Sequence, residues 1–188
     1  MDLYSALGRY ATTRNVCIAF LAFVLFTAVL LTVSPYADLQ RGGYGSDILE
    51  TRLWYTPQEV YDAFADLGDA GRATYRSALL FDLLYPFAYV PFLTLSIAWT
   101  FNRITASRRW ADRSVTLPVL AGIGDWLENA GLLAMLAGFP AIPRAFWMVV
   151  GVATTAKLVL VYVSCFLVAI GLIRVTLRRL SRDPIEIR

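Results

Sequence analysis

The chain of 188 residues has no histidine, two cysteines and a single lysine, and these scarcities narrow its chemistry. Without histidine, a zinc site of the His-Glu-x-x-His type, a bis-histidine haem and a histidine general base are excluded. Cys17 and Cys165 lie in apolar runs and outside any Cys-x-x-Cys motif, so neither a disulfide framework nor a dithiol redox centre is expected. Phosphate-binding loops and nucleophile elbows are also missing. The sequence therefore predicts no cofactor and does not favour an enzyme.

Apolar sequence is what the chain has in excess. Hydrophobic residues make up 58% of it, against about 45–50% in a typical soluble domain, and the surplus is concentrated in four long runs. At a rise of about 1.5 Å per residue, each run can cross a hydrocarbon core of about 30 Å. The sequence predicts an all-α integral membrane four-helix bundle, a single domain over residues 1–188, with spans at residues 16–34, 78–101, 115–138 and 145–173.

Arginines beside the spans indicate how the chain is oriented. They dominate the N-terminal segment, the second connection and the tail at residues 174–188, whereas the first connection, residues 35–77, holds seven acids and four arginines. Because basic residues stay on the cytoplasmic side, we expect a multi-pass protein of the plasma (inner) membrane with both termini in the cytoplasm. This patchy distribution makes the lipid bilayer, and not nucleic acid, the expected partner of a chain with net charge +3. The first span is too long for a cleaved signal peptide and lacks a small-residue cleavage site, so we expect it to be retained.

The first connection contains a helix signal on what is predicted to be the outer side. Residues 34–54 are expected to be irregular because of Pro35 and a glycine cluster. Thr56, Pro57 and Glu59 then form a capping-box pattern. It predicts a short amphipathic helix, ended by Gly68, whose apolar face is formed by Val60, Ala63, Phe64 and Leu67. We interpret this helix as a lid on the bundle, with a gating or partner-docking role left open.

Span 2 carries a polar face. We expect Asp69 to cap a helix that runs into this span, and one side of the span carries Asp82, Tyr85, Pro86 and Tyr89. Because proline has no N–H, Pro86 is predicted to leave the carbonyl of Asp82 without its helical donor. A ligand-lining face and an ordinary interfacial aspartate both stay possible.

Span 3 contains two acids near its centre. Asp125 and Glu128 are three residues apart and share a helical face with Asn129. A charge at the middle of a bilayer costs about 2.5–3.5 kcal/mol, so two of them require a partner or a function.

Lys157 in span 4 is the predicted partner of these acids. The short turn at residues 139–144 makes spans 3 and 4 an antiparallel hairpin, and counting from its centre places Lys157, Asp125 and Glu128 within about 5 Å of one another in depth. A structural ion pair is the simplest interpretation. Lys157 can neutralise only one of the two acids. The other acid either is protonated, binds a cation or amine, or pairs with one of three arginines: Arg72, Arg76 or Arg144.

Two further features concern the packing of the spans. Span 1 is predicted to be an anchor and packing wall, since Thr27 and Thr32 are its main polar residues. In span 3 a row of small residues, Ala130, Ala134 and Gly138, lets a neighbour approach closely. A self-contained bundle and a contact of this row with a second copy or another membrane protein are both left open.

Three segments carry a resemblance. They are Leu67-Gly68-Asp-Ala-Gly71-Arg72-x-x-Tyr75, Asp82-x-x-x-Pro86 and Asp125-x-x-Glu128-Asn129, with Tyr55 and Glu59 ahead of them. In this order the chain, over about residues 10–175, resembles a group of small bacterial four-span membrane proteins without an assigned activity. The resemblance implies one site that contains Arg72, Tyr75, Asp82, Asp125, Glu128 and Asn129, and it implies no substrate or mechanism.

Three functions follow as hypotheses. The first is binding or transport of a proton, cation or small solute, at a site open to the outer face beneath the amphipathic helix. Its candidate residues are Asp82, Tyr85, Tyr89, Asp125, Glu128, Asn129 and Lys157, with Arg72 and Tyr75 added by the resemblance. The second is a non-catalytic accessory or scaffold subunit. The third is an intramembrane lipid-modifying enzyme with the acids as general acid and base.

Overall fold

The computed structural model describes residues 3–43, 49, 52–104 and 107–181, and this part of the chain contains helices and no strands. The helices are α1 (Leu3–Gly8), α2 (Thr13–Thr32), α3 (Pro35–Arg41), α4 (Pro57–Asp66), α5 (Gly68–Asp82), α6 (Pro86–Ile104), α7 (Arg108–Gly138) and α8 (Arg144–Leu180). The predicted all-α fold is confirmed. That the whole chain is a single domain stays a prediction.

Four helical stretches in the described residues are long and apolar enough to cross a membrane: α2, α5 together with α6, α7, and α8. The protein is therefore a multi-pass membrane protein, as predicted. Several helices are longer than the predicted spans. Helix α7 begins at Arg108, before the predicted residue 115, and α8 continues to Leu180, beyond the predicted residue 173. Hydropathy marks only the apolar part of a helix, and backbone hydrogen bonding continues into the charged residues beside it.

The prediction that residues 34–54 are irregular is wrong for α3. Ser34 caps this helix, because its Oγ accepts a hydrogen bond from the N–H of Tyr36 at 3.1 Å, and Pro35 is the first helical residue. Proline at this position needs no donor and already has a helical φ. The residue interpreted as a breaker therefore starts a helix. Residues 44–48, 50 and 51 lie outside the described residues.

The capping box of α4 is confirmed. The Thr56 N–H donates to Glu59 Oε2 at 2.6 Å, and the Glu59 N–H donates to Thr56 Oγ1 at 3.3 Å. All four residues of the predicted apolar face are buried: Val60, Ala63, Phe64 and Leu67. The helix rests on α5 and α8.

Asp69 does not cap α5, which corrects a prediction. The chain passes from α4 to α5 through Leu67, whose carbonyl accepts from the N–H of Gly71 at 3.1 Å, and no side chain caps the new helix. Gly68 has a φ of +60°, which allows the change of direction without a capping side chain. Asp69 lies in the first turn of α5 and forms an ion pair with Arg72.

The second span is broken at the residues before Pro86. Helix α5 ends at Asp82 and α6 begins at Pro86. The prediction that the Asp82 carbonyl lacks a donor is wrong, because the N–H of Tyr85 donates to it at 2.8 Å. The tight turn at residues 83–85 supplies the hydrogen bond that Pro86 cannot. Asp82 consequently stands at a helix end inside the span.

Helices α7 and α8 form the predicted antiparallel hairpin, α6 packs on both of them, and α2 packs chiefly against α6. Two apolar clusters fill the bundle. One surrounds Leu132, Met135 and Val150 at the end where α3, α4 and α5 lie, and the other surrounds Leu93 and Ile97. The polar residues of α7 lie between these clusters.

Candidate intramembrane acid and lysine site

Lys157 forms the predicted buried ion pairs across the α7–α8 hairpin. Its Nζ lies 3.3 Å from Asp125 Oδ1 and also contacts the carboxylate of Glu128. All three side chains are buried, with relative exposures of 7% for Lys157, 3% for Asp125 and 0% for Glu128. Separating these charges from water is tolerable because they are paired with one another. The predicted acid and lysine cluster is confirmed.

Glycines on α7 let the neighbouring helices approach the site closely. A Cβ added at Gly124 would lie 3.5 Å from the Cβ of Lys157, and one added at Gly131 would lie only 2.5 Å from Val150 Cγ2. Both glycines therefore face α8 and allow the hairpin to close around the ion pairs. The small row of Ala130, Ala134 and Gly138 lies instead on the exposed face of α7. A contact with another copy or another protein through that row stays a prediction.

Asp82 is joined to the same cluster through Asn129. The Asn129 side-chain N–H donates to Asp82 Oδ2 at 2.9 Å, and both residues are buried. The break in the second span and the polar face of α7 thus meet. Unlike the two acids that contact Lys157, Asp82 has a neutral amide as its hydrogen-bond partner among the described residues. Three carboxyls and one ammonium give the cluster a formal charge of −2 when all are ionised.

A cavity of about 470 Å³ reaches this cluster from the side of the bundle. It lies between α2 and α8, and α6 forms its back wall. Its polar wall is formed by Asp82, Tyr85, Tyr89, Asp125 and Lys157, and most of the remaining lining is apolar. Two lining residues, Leu31 and Tyr162, are 55% and 60% exposed, so the cavity opens on the outside of the bundle. That surface belongs to helices that are long and apolar enough to cross a membrane.

Two tyrosines stand between the acids and α2. The hydroxyls of Tyr85 and Thr27 lie 3.3 Å apart, and the Tyr85 ring stacks on Phe23 and Phe26. The hydroxyl of Tyr89 is buried close to Asp125 and has no hydrogen bond of standard geometry among the described residues. Span 1, predicted to be an anchor and packing wall, therefore also lines the cavity.

The first connection closes the end of the bundle above Glu128. The hydroxyls of Tyr55 and Thr154 lie 3.0 Å apart, and Thr155 donates to the carbonyl of Leu53 at 2.5 Å. Tyr55 is buried. The cavity that reaches the acids opens laterally between α2 and α8, and an opening beneath α4 stays a prediction.

Arg72 and Tyr75 do not line the cavity, although the resemblance implies that they share the site. The guanidinium of Arg72 donates to the carbonyl of Phe64 at 2.7 Å and lies over the ring of Phe139. Tyr75 packs edge-on against Phe64, and its hydroxyl accepts from the N–H of Leu49 at 3.3 Å. Both residues hold α4 and the first connection on the bundle.

Two of the three arginines proposed as charge partners, Arg72 and Arg76, are not brought to the cluster. Arg72 pairs with Asp69, and Arg76 is exposed beside it. The side chain of Arg144 lies outside the described residues. Across the described part of the chain, no three His, Cys, Asp or Glu side chains converge closely enough to hold a metal ion.

Sequence reasoning missed Phe92 and Tyr36 as cavity residues. Phe92 carries no signal, because an aromatic residue in an apolar run is indistinguishable from a lipid-facing one, and Tyr36 falls in the first connection, outside the predicted spans. Thr27 carried a weak signal as one of few polar residues in span 1. Comparisons with protein families, with curated proteins and with solved structures found no match to this chain.

Proposed function

We propose that the protein binds a protonated amine within the membrane, with the carboxylates of Asp82 and Asp125 as its anionic partners. The observation that carries this proposal is the excess of acid on the cavity wall. Lys157 is shared between Asp125 and Glu128, and Asp82 has only a neutral amide from Asn129 among the described residues. A ligand with one positive charge offsets part of this excess and relieves the cost of the buried carboxylates.

An amine fits the site better than a metal ion does. The described acids do not converge as a metal centre requires, whereas the cavity volume of about 470 Å³ lies in the range of about 300–1,000 Å³ of small-molecule sites. Tyr85 and Tyr89 line the same wall, and aromatic rings next to a cation contribute further attraction. Binding or transport of a small cationic solute is the function class that this arrangement supports.

The test is calorimetric titration of the purified protein in lipid nanodiscs with butylammonium. Asp82→Asn keeps a group that can accept from Asn129 and removes the charge, so we expect affinity to fall about tenfold or more. Asp62→Asn removes an exposed acid on α4 and serves as the matched control. Equal affinity of Asp82→Asn and wild type, or no binding by the wild type, overturns the proposal.

A second candidate is a non-catalytic accessory or scaffold subunit. The observation in its favour is that the Lys157 pairs join α7 and α8 of one hairpin, where they fix its register. If the protein has this function, Asp125, Glu128 and Lys157 can be replaced together by apolar residues without loss of partner binding. The alternative of a lipid-modifying enzyme is not tested by the geometry and stays a hypothesis.

We further propose that the protein resides in the plasma (inner) membrane with both termini in the cytoplasm. The support is the distribution of arginines along the sequence. A C-terminal fusion to green fluorescent protein is expected to fluoresce, and the corresponding alkaline phosphatase fusion is expected to be inactive. The reverse pair of results contradicts this topology.

A further inference from the structure

The groove between α2 and α8 contains a second cavity beyond the first. This second cavity has a volume of about 330 Å³ and an almost entirely apolar lining that includes Val16, Cys17, Ser96, Trp99 and Leu172. Along α6, the residues that line the second cavity come after those that line the first. Along α2, which runs antiparallel to α6, the residues of the second cavity come before those of the first. The two cavities therefore lie end to end along the same groove, and the second is the farther one from the acids.

Phe92 separates the two cavities, because it lines both of them. Its ring stacks on Phe23 with centroids 5.2 Å apart and packs at a tilt against Phe20 at 5.3 Å. Both of these partners lie on α2. The three rings form a partition across the groove, three residues along α6 from Tyr89. We expect removal of the Phe92 ring to join the first cavity to the second.

From this arrangement, which rests on the proposed function, we infer that the ligand is a long-chain amine. Its ammonium group meets Asp82 and Asp125, its alkyl chain lies in the groove between α2 and α8, and Phe92 determines the chain length that fits. The lateral opening beside Leu31 and Tyr162 lets such an amphiphile enter from the bilayer.

The preference for chain length comes from fit and not from hydrophobic burial. Lipid tails are as apolar as the groove, so moving an alkyl chain from bilayer to protein gains little transfer free energy. A chain too long for the first cavity has to displace the Phe92 ring and lose its stacking on Phe23. Occupation of the second cavity becomes possible only when that ring is reduced.

The experiment measures binding of butyl-, octyl-, dodecyl- and hexadecylammonium to the full chain in phosphatidylcholine nanodiscs. At each length, the ratio of the affinity for the protein to the partition coefficient of the same amine into protein-free nanodiscs removes the contribution of partition into lipid. We expect this ratio to pass through a maximum at an intermediate length. Phe92→Ala moves the maximum to longer chains and raises the preference for hexadecyl- over octylammonium at least about tenfold.

Two further variants keep the test decisive. Phe166→Ala removes a ring on α8 that is 64% exposed and lines neither cavity, so its profile stays that of the wild type. Phe92→Trp enlarges the partition and moves the maximum to shorter chains, which tests the same idea if Phe92→Ala does not fold. Identical profiles for the Phe92 and Phe166 variants overturn the inference.

The outcomes also separate this inference from the proposed function. If butylammonium binds in an Asp82-dependent way and the ratio does not change with chain length, the long-chain ligand is wrong and amine binding stands. If no amine of any length shows Asp82-dependent binding, both are wrong.

Discussion

The Nζ of Lys157 on α8 lies 3.3 Å from the Oδ1 of Asp125 on α7, and the same ammonium group contacts Glu128 one turn further along α7. One cation is therefore shared by two acids of one helix face. This sharing ties the two helices of the hairpin together at the level of the cavity. It also leaves Asp82, held by Asn129 at 2.9 Å, outside the ion pairs.

Removal of Lys157 alone is expected to damage the fold more than removal of the whole charged set. Lys157→Met leaves two buried carboxyls without their cation, and breaking such a pair costs about 3–5 kcal/mol. The triple variant Lys157→Met, Asp125→Leu, Glu128→Met removes both carboxyls that contact Lys157 together with the cation, and it is expected to unfold nearer the wild-type temperature than the single variant does. Thermal unfolding in nanodiscs compares them, and a single variant as stable as the triple one argues against a structural contribution of the pairs.

The side-chain amide of Asn129 is expected to stabilise the folded protein, because it donates a hydrogen bond to Asp82. Asn129→Leu leaves the buried Asp82 carboxyl without that hydrogen bond, and the expected loss is about 1–3 kcal/mol of the free energy of unfolding. Asn129→Gln keeps an amide and serves as the control for side-chain chemistry, and we expect it to retain part of the stability. Full stability of Asn129→Leu would show that the contact to Asp82 contributes nothing.

Gly131 is expected to tolerate no side chain, because α8 approaches it closely. The Cβ of Gly131→Ala meets Val150 Cγ2 at 2.5 Å, and overpacking of this kind costs about 1–3 kcal/mol. Gly138→Ala, on the same helix with nothing within 4 Å of the added Cβ, is the matched control and is expected to be neutral or slightly stabilising. The double variant Gly131→Ala, Val150→Ala should recover part of the loss. No difference between the two alanine variants contradicts the close approach.

The capping box of α4 predicts a pH-dependent stability. The backbone N–H of Thr56, followed by its side chain, holds the pKa of Glu59 below its ordinary value. A carboxyl with a lowered pKa in the folded state stabilises that state above its unfolded pKa, and the contribution disappears as the pH falls through the folded pKa. Glu59→Ala is therefore expected to lower the unfolding temperature at neutral pH and to match the wild type at strongly acidic pH.

Thr56→Ala provides the control for this prediction. It removes the cap of the Glu59 N–H, a bond that is present whether or not Glu59 is ionised, so a loss of about 1 kcal/mol is expected to persist at strongly acidic pH. An effect of Glu59→Ala that persists unchanged at acidic pH means that the charge of Glu59 is not what stabilises the helix start.

The spans and the charged cluster could be predicted from the sequence because each depends on local regularities. Apolar runs give the spans, a spacing of three residues places Asp125 and Glu128 on one face, and the short turn fixes the depth of Lys157. The capping box of α4 was equally local. The error at Pro35 has a physical reason, since proline is tolerated at the first position of a helix and disfavoured in its interior.

The lateral cavity could not be predicted from the sequence. Its place depends on α2 packing on α6 and standing apart from α8, and the outward and inward faces of an apolar span are alike in composition. For the same reason nothing distinguished Phe92 from a lipid-facing phenylalanine. The closure of the α4 end by Tyr55 depends on a contact with Thr154, 99 residues away.

The measurement that tests the central claim most directly follows the side-chain carboxyl carbons of Asp82 and Glu128 by ¹³C nuclear magnetic resonance while butylammonium is added. Asp82 lines the cavity, whereas Glu128 is fully buried and held by Lys157. We expect the Asp82 resonance to move with saturation and the Glu128 resonance to stay in place. An unmoved Asp82 resonance at saturating butylammonium contradicts the account.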